Sequence, residues 1–209
     1  MLSRAVLGIK SRLEAGAEHD DLYDRVYFER QNIAMRKSAQ GIAASIIERL
    51  PTVRHAVDVG CGSGSIIEAL RERGISSIGL EYAEAALDLC RSKGLDVRKF
   101  DIESEEKVAL SADLVLSTEV AEHIPEEHAD AYVDLLTGLA DTILMTAAVP
   151  GQGGTDHVNE QPNEYWIEKF MCRGFSHDMA VSQSWREDWR RRGVDKHRAS
   201  NVMLFLRHA

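Results

Sequence analysis

The chain has 209 residues, with 25 Lys and Arg against 34 Asp and Glu, giving a formal net charge of −9. That length fits one domain with a core of its own, and the negative balance leaves the chain as a whole no electrostatic reason to seek nucleic acid or an anionic membrane. An apolar content of 44% with only 4 prolines argues against a long disordered part.

The longest strongly apolar stretch, near Ile143–Val149, is far short of a membrane span. Met1–Lys10 lacks the apolar core of a secretory leader. The 3 cysteines, Cys61, Cys90 and Cys172, form no CxxC pair, which speaks against a zinc-thiolate site or a disulfide framework and suits a reducing cytoplasm.

Residues 1–19 read as a polar, weakly helical lead-in, and residues 20–50 as helix. In the latter, Ile42, Ala43, Ile46, Ile47 and Leu50 recur at helical spacing before Pro51. Strands and helices then alternate: strand His55–Val59, a glycine loop, helix Ser65–Arg73, strand Ser77–Leu80, helix Ala83–Ser92 and strand Val97–Phe100. Strand Ala112–Ser117, helix Glu126–Leu139, strand Thr142–Ala147, a loop over 150–161 and helix Asn163–Arg173 follow. Two last strands, Phe175–Val181 and Val202–Leu206, flank a short helix Ser184–Arg192. This alternation predicts a doubly wound α/β fold: a mainly parallel sheet with helices on both faces, binding its ligand in the crevice beyond the carboxyl ends of the strands.

The residues just after each strand therefore matter most. The first strand runs into Val57-Asp58-Val59-Gly60-Cys61-Gly62-Ser63-Gly64. Glycines there let the backbone turn tightly and approach a ligand closely. Their G-x-G-x-G spacing departs from the dinucleotide pattern, since position 65 is Ser. Asp58 would repel a pyrophosphate but suits an amino group. Glu81 closes the second strand, where an acid accepts ribose hydroxyls, and Asp101-Ile102 closes the third, where an acid and an aliphatic group suit an exocyclic amine and the face of a base. The combination matches the outline of S-adenosylmethionine (SAM).

Asp58-Val59-Gly60-Cys61-Gly62-Ser63-Gly64, Glu81, Asp101-Ile102 and Ser117-Thr118-Glu119-Val120 together resemble the class I SAM-dependent methyltransferases, over roughly residues 36–206. The resemblance implies a seven-stranded sheet whose last strand is antiparallel. It also implies SAM bound over Gly60, Cys61, Gly62 and Gly64, with Glu81 on the ribose and Asp101 near the adenine. Tyr82, Thr118 and Glu119 are further cofactor-binding candidates. Residues 1–35 then form an N-terminal helical extension or lid, with Tyr23, Tyr27 and Phe28 in it, and 36–209 the methyltransferase domain.

After the fourth strand, Glu119, Glu122 and His123 are spaced to share one side of a helical turn, and His157 lies in the loop after the fifth strand. Carboxylates with imidazoles suit Mn, Fe, Co or Zn, with Mg less natural for His. The Glu-x-x-Glu-His segment resembles metal-dependent O-methyltransferases, namely the small-RNA 2′-O-methyltransferases and the ubiquinone-biosynthesis O-methyltransferases. That resemblance implies a divalent metal held by Glu119, Glu122, His123 and His157. A metal-free alternative has Glu119 touching the cofactor region and His123 serving as a structural or general-base residue.

Asn159 and Gln161 are placed to read substrate hydroxyls or to anchor their loop, and Tyr27 to contact substrate or pack on the domain. The aromatic residues Tyr165, Trp166 and Phe170 read as core. The basic run from Arg186 to Arg198, interleaved with Glu187 and Asp188, reads as a solvated helix face or as a greeting for an anionic substrate.

With His123 or His157 as general base, the expected reaction is O-methylation of a small hydroxylated molecule, such as a sugar or a secondary metabolite. Three rivals stand beside it: N-methylation of a small amine, 2′-O-methylation of RNA, which the net charge disfavours, and SAM binding without catalysis.

Overall fold

The computed structural model describes residues 25–104 and 108–208. Helix α1 (Arg25–Arg49) precedes a seven-stranded sheet. The strands are β1 (His55–Val59), β2 (Ser76–Glu81), β3 (Asp96–Lys99), β4 (Leu114–Thr118), β5 (Thr142–Thr146), β6 (Phe175–His177) and β7 (Met203–Arg207). They lie in the order β3-β2-β1-β4-β5-β7-β6. The first five are parallel, while β7 runs antiparallel between β5 and β6. This is the doubly wound, mainly parallel sheet expected, with its last strand reversed. The strand order reverses at β1 and β4, which opens the binding crevice over their carboxyl ends.

The connecting helices are α2 (Ser65–Arg71), α3 (Glu84–Ser92), α4 (Ala129–Leu139), α5 (Asn163–Met171), α6 (Met179–Arg192) and α7 (Lys196–Asn201). Neighbouring residues of the central strands point to opposite faces, so each strand feeds two cores. Val57, Val115, Ile143, Met145 and Phe205 pack with Tyr132, Trp166 and Phe170 of α4 and α5. Ala56, Leu114, Leu116, Leu144 and Leu204 pack with Ile42 and Ile46 of α1 and Trp185 and Trp189 of α6.

Trp166, Trp185 and Trp189 are fully buried; each gains about 3 kcal/mol by taking apolar surface out of water, less the cost of an unpartnered indole N–H at Trp166 and Trp185. Trp189 Nε1 also donates to Ser45 Oγ at 2.7 Å, which ties α6 to α1. Ser117 Oγ donates to Val59 O at 3.0 Å and meets the Tyr132 hydroxyl at 2.6 Å, which locks β4 to β1 and to α4.

Four expectations are corrected. The boundary drawn between residues 35 and 36 falls inside the single helix α1. The strand expected over Phe175–Val181 stops at His177, because the Asp178 carboxylate accepts from Val181 N–H and caps α6. Helix α4 begins at Ala129 rather than Glu126, behind two short 3₁₀ turns, Ala121–His123 and Glu126–His128. A last helix, α7, follows the expected helix Ser184–Arg192 in a stretch to which no element of its own was assigned: Gly193, at φ 75°, ends α6, and the Asp195 carboxylate then caps His197 and Arg198 N–H. Tyr23 and the lead-in lie outside the described residues. Among those described, no helix is long and apolar enough to cross a membrane.

Candidate active site

A cleft of about 910 Å³ opens over the carboxyl ends of β1, β2 and β4. At its first end lies the glycine loop. Gly60 sits at φ 74°, and a Cβ there would come within 2.6 Å of Val120 Cγ2, so no other residue fits without displacing the β4 loop. The N–H groups of Gly60 and Cys61 donate to Leu80 O at 2.8 and 3.2 Å, which fastens the loop to β2.

Asp58, Gly60, Cys61 and Gly62 line the cleft. Gly64 does not. Its missing Cβ faces Leu95 and Cys90 in the interior, so its part is to turn the chain into α2 rather than to touch a ligand.

Three acids mark this end. Asp58 is buried, and burial, reinforced by the nearby Glu81 carboxylate and opposed by Arg198, pushes its pKa up to about 7. Glu81 accepts from Gly62 N–H at 2.8 Å, Tyr82 N–H at 2.8 Å and Ala83 N–H at 2.9 Å, which makes it the keystone of the loop as well as a cleft wall. Asp101 accepts from Glu103 N–H at 2.9 Å and lines the cleft with Ile102 and Tyr82.

The second end is built from the segments after β4 and β5. Thr118 and Glu119 line it. Glu119 sits at φ 54°, a left-handed conformation that costs a non-glycine residue about 1–2 kcal/mol. The strain is offset by its hydrogen bonds. Its N–H donates to Thr146 O, and its carboxylate accepts from Thr146 Oγ1 at 2.8 Å and Gln152 Nε2 at 3.0 Å. Gln152 Oε1 in turn accepts from Asn201 of α7 at 2.8 Å.

Glu122, His123 and His157 converge, with ligand atoms all within 4.8 Å of one another. Glu119 is not in this group, because the turn at its own backbone sends its carboxylate toward Thr146 and Gln152. The expected four-residue metal set thus reduces to three. Glu122 is fully buried with neither carboxylate oxygen hydrogen-bonded. Burial first, then Glu119, raises its pKa to about 8.

His123 Nδ1 pairs with Asp156 O at 3.1 Å, and His157 Nδ1 with Glu160 Oε1 at 2.8 Å. Since a carbonyl and a carboxylate accept, both rings carry hydrogen on Nδ1 and keep Nε2 for chemistry. Burial lowers the His123 pKa, which keeps that ring neutral near pH 7. Glu160 also accepts from Gly151 and Gly153 N–H at 2.8 and 2.7 Å, and these contacts, the His157 bond first, hold its pKa low.

Two of the expected substrate contacts are corrected. Asn159 is buried: its Nδ2 donates to Ile124 O at 3.0 Å, and its Oδ1 accepts from Gln161 Nε2 at 2.9 Å. Asn159 and Gln161 anchor the loop and do not line the cleft. Tyr27 does line it, with Gln31 and Met35 one and two turns further along α1.

The sequence reading gave Gln152 no role and did not pair Glu160 with His157, and it named Arg198 only as one charge of the basic run, read as a solvated face or as a greeting for an anionic substrate. His157-x-x-Glu160 carried a usable signal, an acid three residues from the base. For Arg198 the signal was Asp195, a capping residue that begins a new helix.

A family model described as "Methyltransferase domain" matches residues 57–137. The ubiquinone biosynthesis O-methyltransferase of Hahella chejuensis is 36% identical over 80 residues, which cover 35% of this chain and 34% of that protein. Its counterpart in Methylococcus capsulatus is 40% identical over 81 residues, with the same coverage. The chain therefore matches about a third of the length of these relatives.

Among solved structures, magnesium protoporphyrin IX methyltransferase from Synechocystis PCC 6803 with bound SAH aligns over 84% of both chains, with a TM-score of 0.64 and 17% identity. A sugar N-methyltransferase from Streptoalloteichus covers 82% of this chain and 87% of that one, with a TM-score of 0.64 and 14% identity. At such identities the likeness speaks for the fold, and the fold is that of the class I methyltransferases.

Proposed function

We propose that this chain, a class I SAM-dependent methyltransferase by its fold and by the domain at residues 57–137, transfers a methyl group from SAM to a hydroxyl of a small molecule. The observation that carries this reading is the continuity of one cleft, from the glycine loop with Asp58, Glu81 and Asp101 to His123 and His157, whose Nδ1 atoms are held from behind, with His157 Nε2 4.0 Å from Glu122 Oε1. In this reading Gly60, Cys61 and Gly62 give the cofactor its close backbone contact. Asp58 faces its amino group, Glu81 and Tyr82 its ribose, and Asp101 and Ile102 its adenine, with Thr118 and Glu119 beside it. The reducing cytoplasm suits the three free cysteines.

SAM supplies a methyl group already activated on a positive sulfur. The residues of the cleft hold the acceptor oxygen in line with it, so that an O–C bond forms as the C–S bond breaks and the electron pair stays on sulfur. The acceptor also loses a proton. His157 Nε2 takes it, and the Glu160 carboxylate behind Nδ1 steadies the imidazolium that results. His123, kept neutral by burial, stands ready beside it, the two rings 5.0 Å apart.

Glu122, His123 and His157 also fit a divalent cation such as Mn, Fe, Co or Zn. One carboxylate and two imidazoles are a suitable donor set, and the two unpartnered oxygens of Glu122 are what a cation would satisfy. Bound there, such an ion would lower the pKa of the acceptor hydroxyl.

The test is calorimetric titration with SAH, followed by methyl transfer from radiolabelled SAM to a panel of hydroxylated sugars and phenols, with EDTA and with Mn or Zn restored. Micromolar SAH binding and a labelled ether product support the reading. Binding of a nicotinamide nucleotide in place of SAH would overturn it. Full activity in excess EDTA would remove the metal alone.

A further inference from the structure

The basic run near the carboxyl end is divided by Gly193 and Asp195 into two helices, and the division turns Arg198 into the cleft. Among the described residues it is the only Lys or Arg lining that cleft. Its side chain is 20% exposed, with Nη1 on Asp195 Oδ2 at 3.0 Å. Asp195 is itself fixed by the N–H groups of His197 and Arg198, so the guanidinium is held from behind. Its Nε is buried without a hydrogen-bond partner. Its charge reaches both Asp58 and Glu122, lowering the pKa of each, while its ion pair is with Asp195.

Arg198 belongs to the acceptor side. Its helix leads into β7, where Met203 pairs with Met145 of β5, and Asn201 of the same helix holds Gln152, the partner of Glu119. A half-buried guanidinium, held from behind by Asp195 and lining the cleft, is built to receive a planar oxyanion. Asp58, Glu119 and Glu122 already line the cleft, so a singly charged carboxylate meets less repulsion than a doubly charged phosphate.

We propose that Arg198 binds a carboxylate on the methyl acceptor, so that the substrate is a hydroxylated acid rather than a neutral alcohol. This rests on the methyltransferase reading above.

The test uses full-length protein loaded with SAH and two probes of one shape, 3,4-dihydroxybenzoate and 3,4-dihydroxybenzyl alcohol, titrated into wild type, R198Q and K196Q. Lys196 lies on the same helix but is exposed. Wild type and K196Q are expected to prefer the acid by about tenfold, and R198Q to show no preference, with SAH affinity within about twofold throughout. Should circular dichroism show R198Q unfolded, R198K replaces it and is expected to lose most of the preference, because a lysine lacks the fork. Absence of the preference in wild type, binding of neither probe, or a preference that survives in the variant overturns the proposal. A loss of SAH affinity in R198Q also overturns it, by assigning the guanidinium to the cofactor's own carboxylate. Wild type that does not bind SAH at all fails the proposed function instead.

Discussion

At the β1–β3 end of the cleft a single side chain, Glu81, gathers three backbone N–H groups, and the walls are strand tips and a short glycine turn. At the β4–β5 end the walls are side chains from distant parts of the chain. Glu119 reaches Gln152, Gln152 reaches Asn201, and His157 leans on Glu160. The first end is fixed by backbone geometry and tolerates little change of ligand. The second is fixed by side-chain hydrogen bonds, which evolution can exchange one at a time without disturbing the sheet. That contrast explains how one fold serves many acceptors with one methyl donor.

The sharpest way to break the comparison is His157→Ala. If the two ends act separately, kcat falls by about 10³-fold while SAH affinity in calorimetry stays within about twofold. A joint loss of both would show that they are one unit. Gly60→Ala probes the other end. Its Cβ would press on Val120, and SAH affinity is expected to drop by about 100-fold.

Glu160→Gln should cost about tenfold in kcat. SAH affinity should stay within about twofold, whereas a purely structural role of Glu160 in the loop would lower both.

Asp58→Asn gives the smallest effect and the one most specific to pH. A carboxyl whose folded pKa lies near 7, against about 3.8 when unfolded, binds more protons folded than unfolded between these values. Its stability contribution is therefore lost as pH rises through that window. The variant should melt higher than wild type at pH 8 by roughly 5 °C, melt equally at pH 3, and bind SAH more weakly at both ends of the range where it is folded.

The same contrast governs what could be read from the sequence. The β1–β3 end was legible because its residues follow strands whose apolar runs are plain, and because spacing alone puts Gly60, Glu81 and Asp101 at the tips. At the β4–β5 end, types were legible but partners were not. Glu119 was grouped with Glu122 and His123 by helical spacing, but the φ of 54° at Glu119 and the 3₁₀ turn after it break that spacing.

Asn159 has the composition of a substrate-reading residue, yet two backbone and side-chain bonds bury it as an anchor. Arg198 reads from sequence as one charge of a solvated face or of a greeting for an anionic substrate, because Lys196–Asn201 holds a single apolar residue, Ala199, too few to mark a buried side. Only the tertiary position of α7 reveals its direction.

Helix α1 runs unbroken from Arg25 to Arg49, with Tyr27, Gln31 and Met35 over the cleft at its leading half and Ile42, Ala43 and Ile46 clamped in the core at its trailing half. One wall of the cleft and a beam of the interior are thus one continuous rod, so a change at Ile42 or Ile46 that shifts the rod in the core also shifts the wall that a ligand meets.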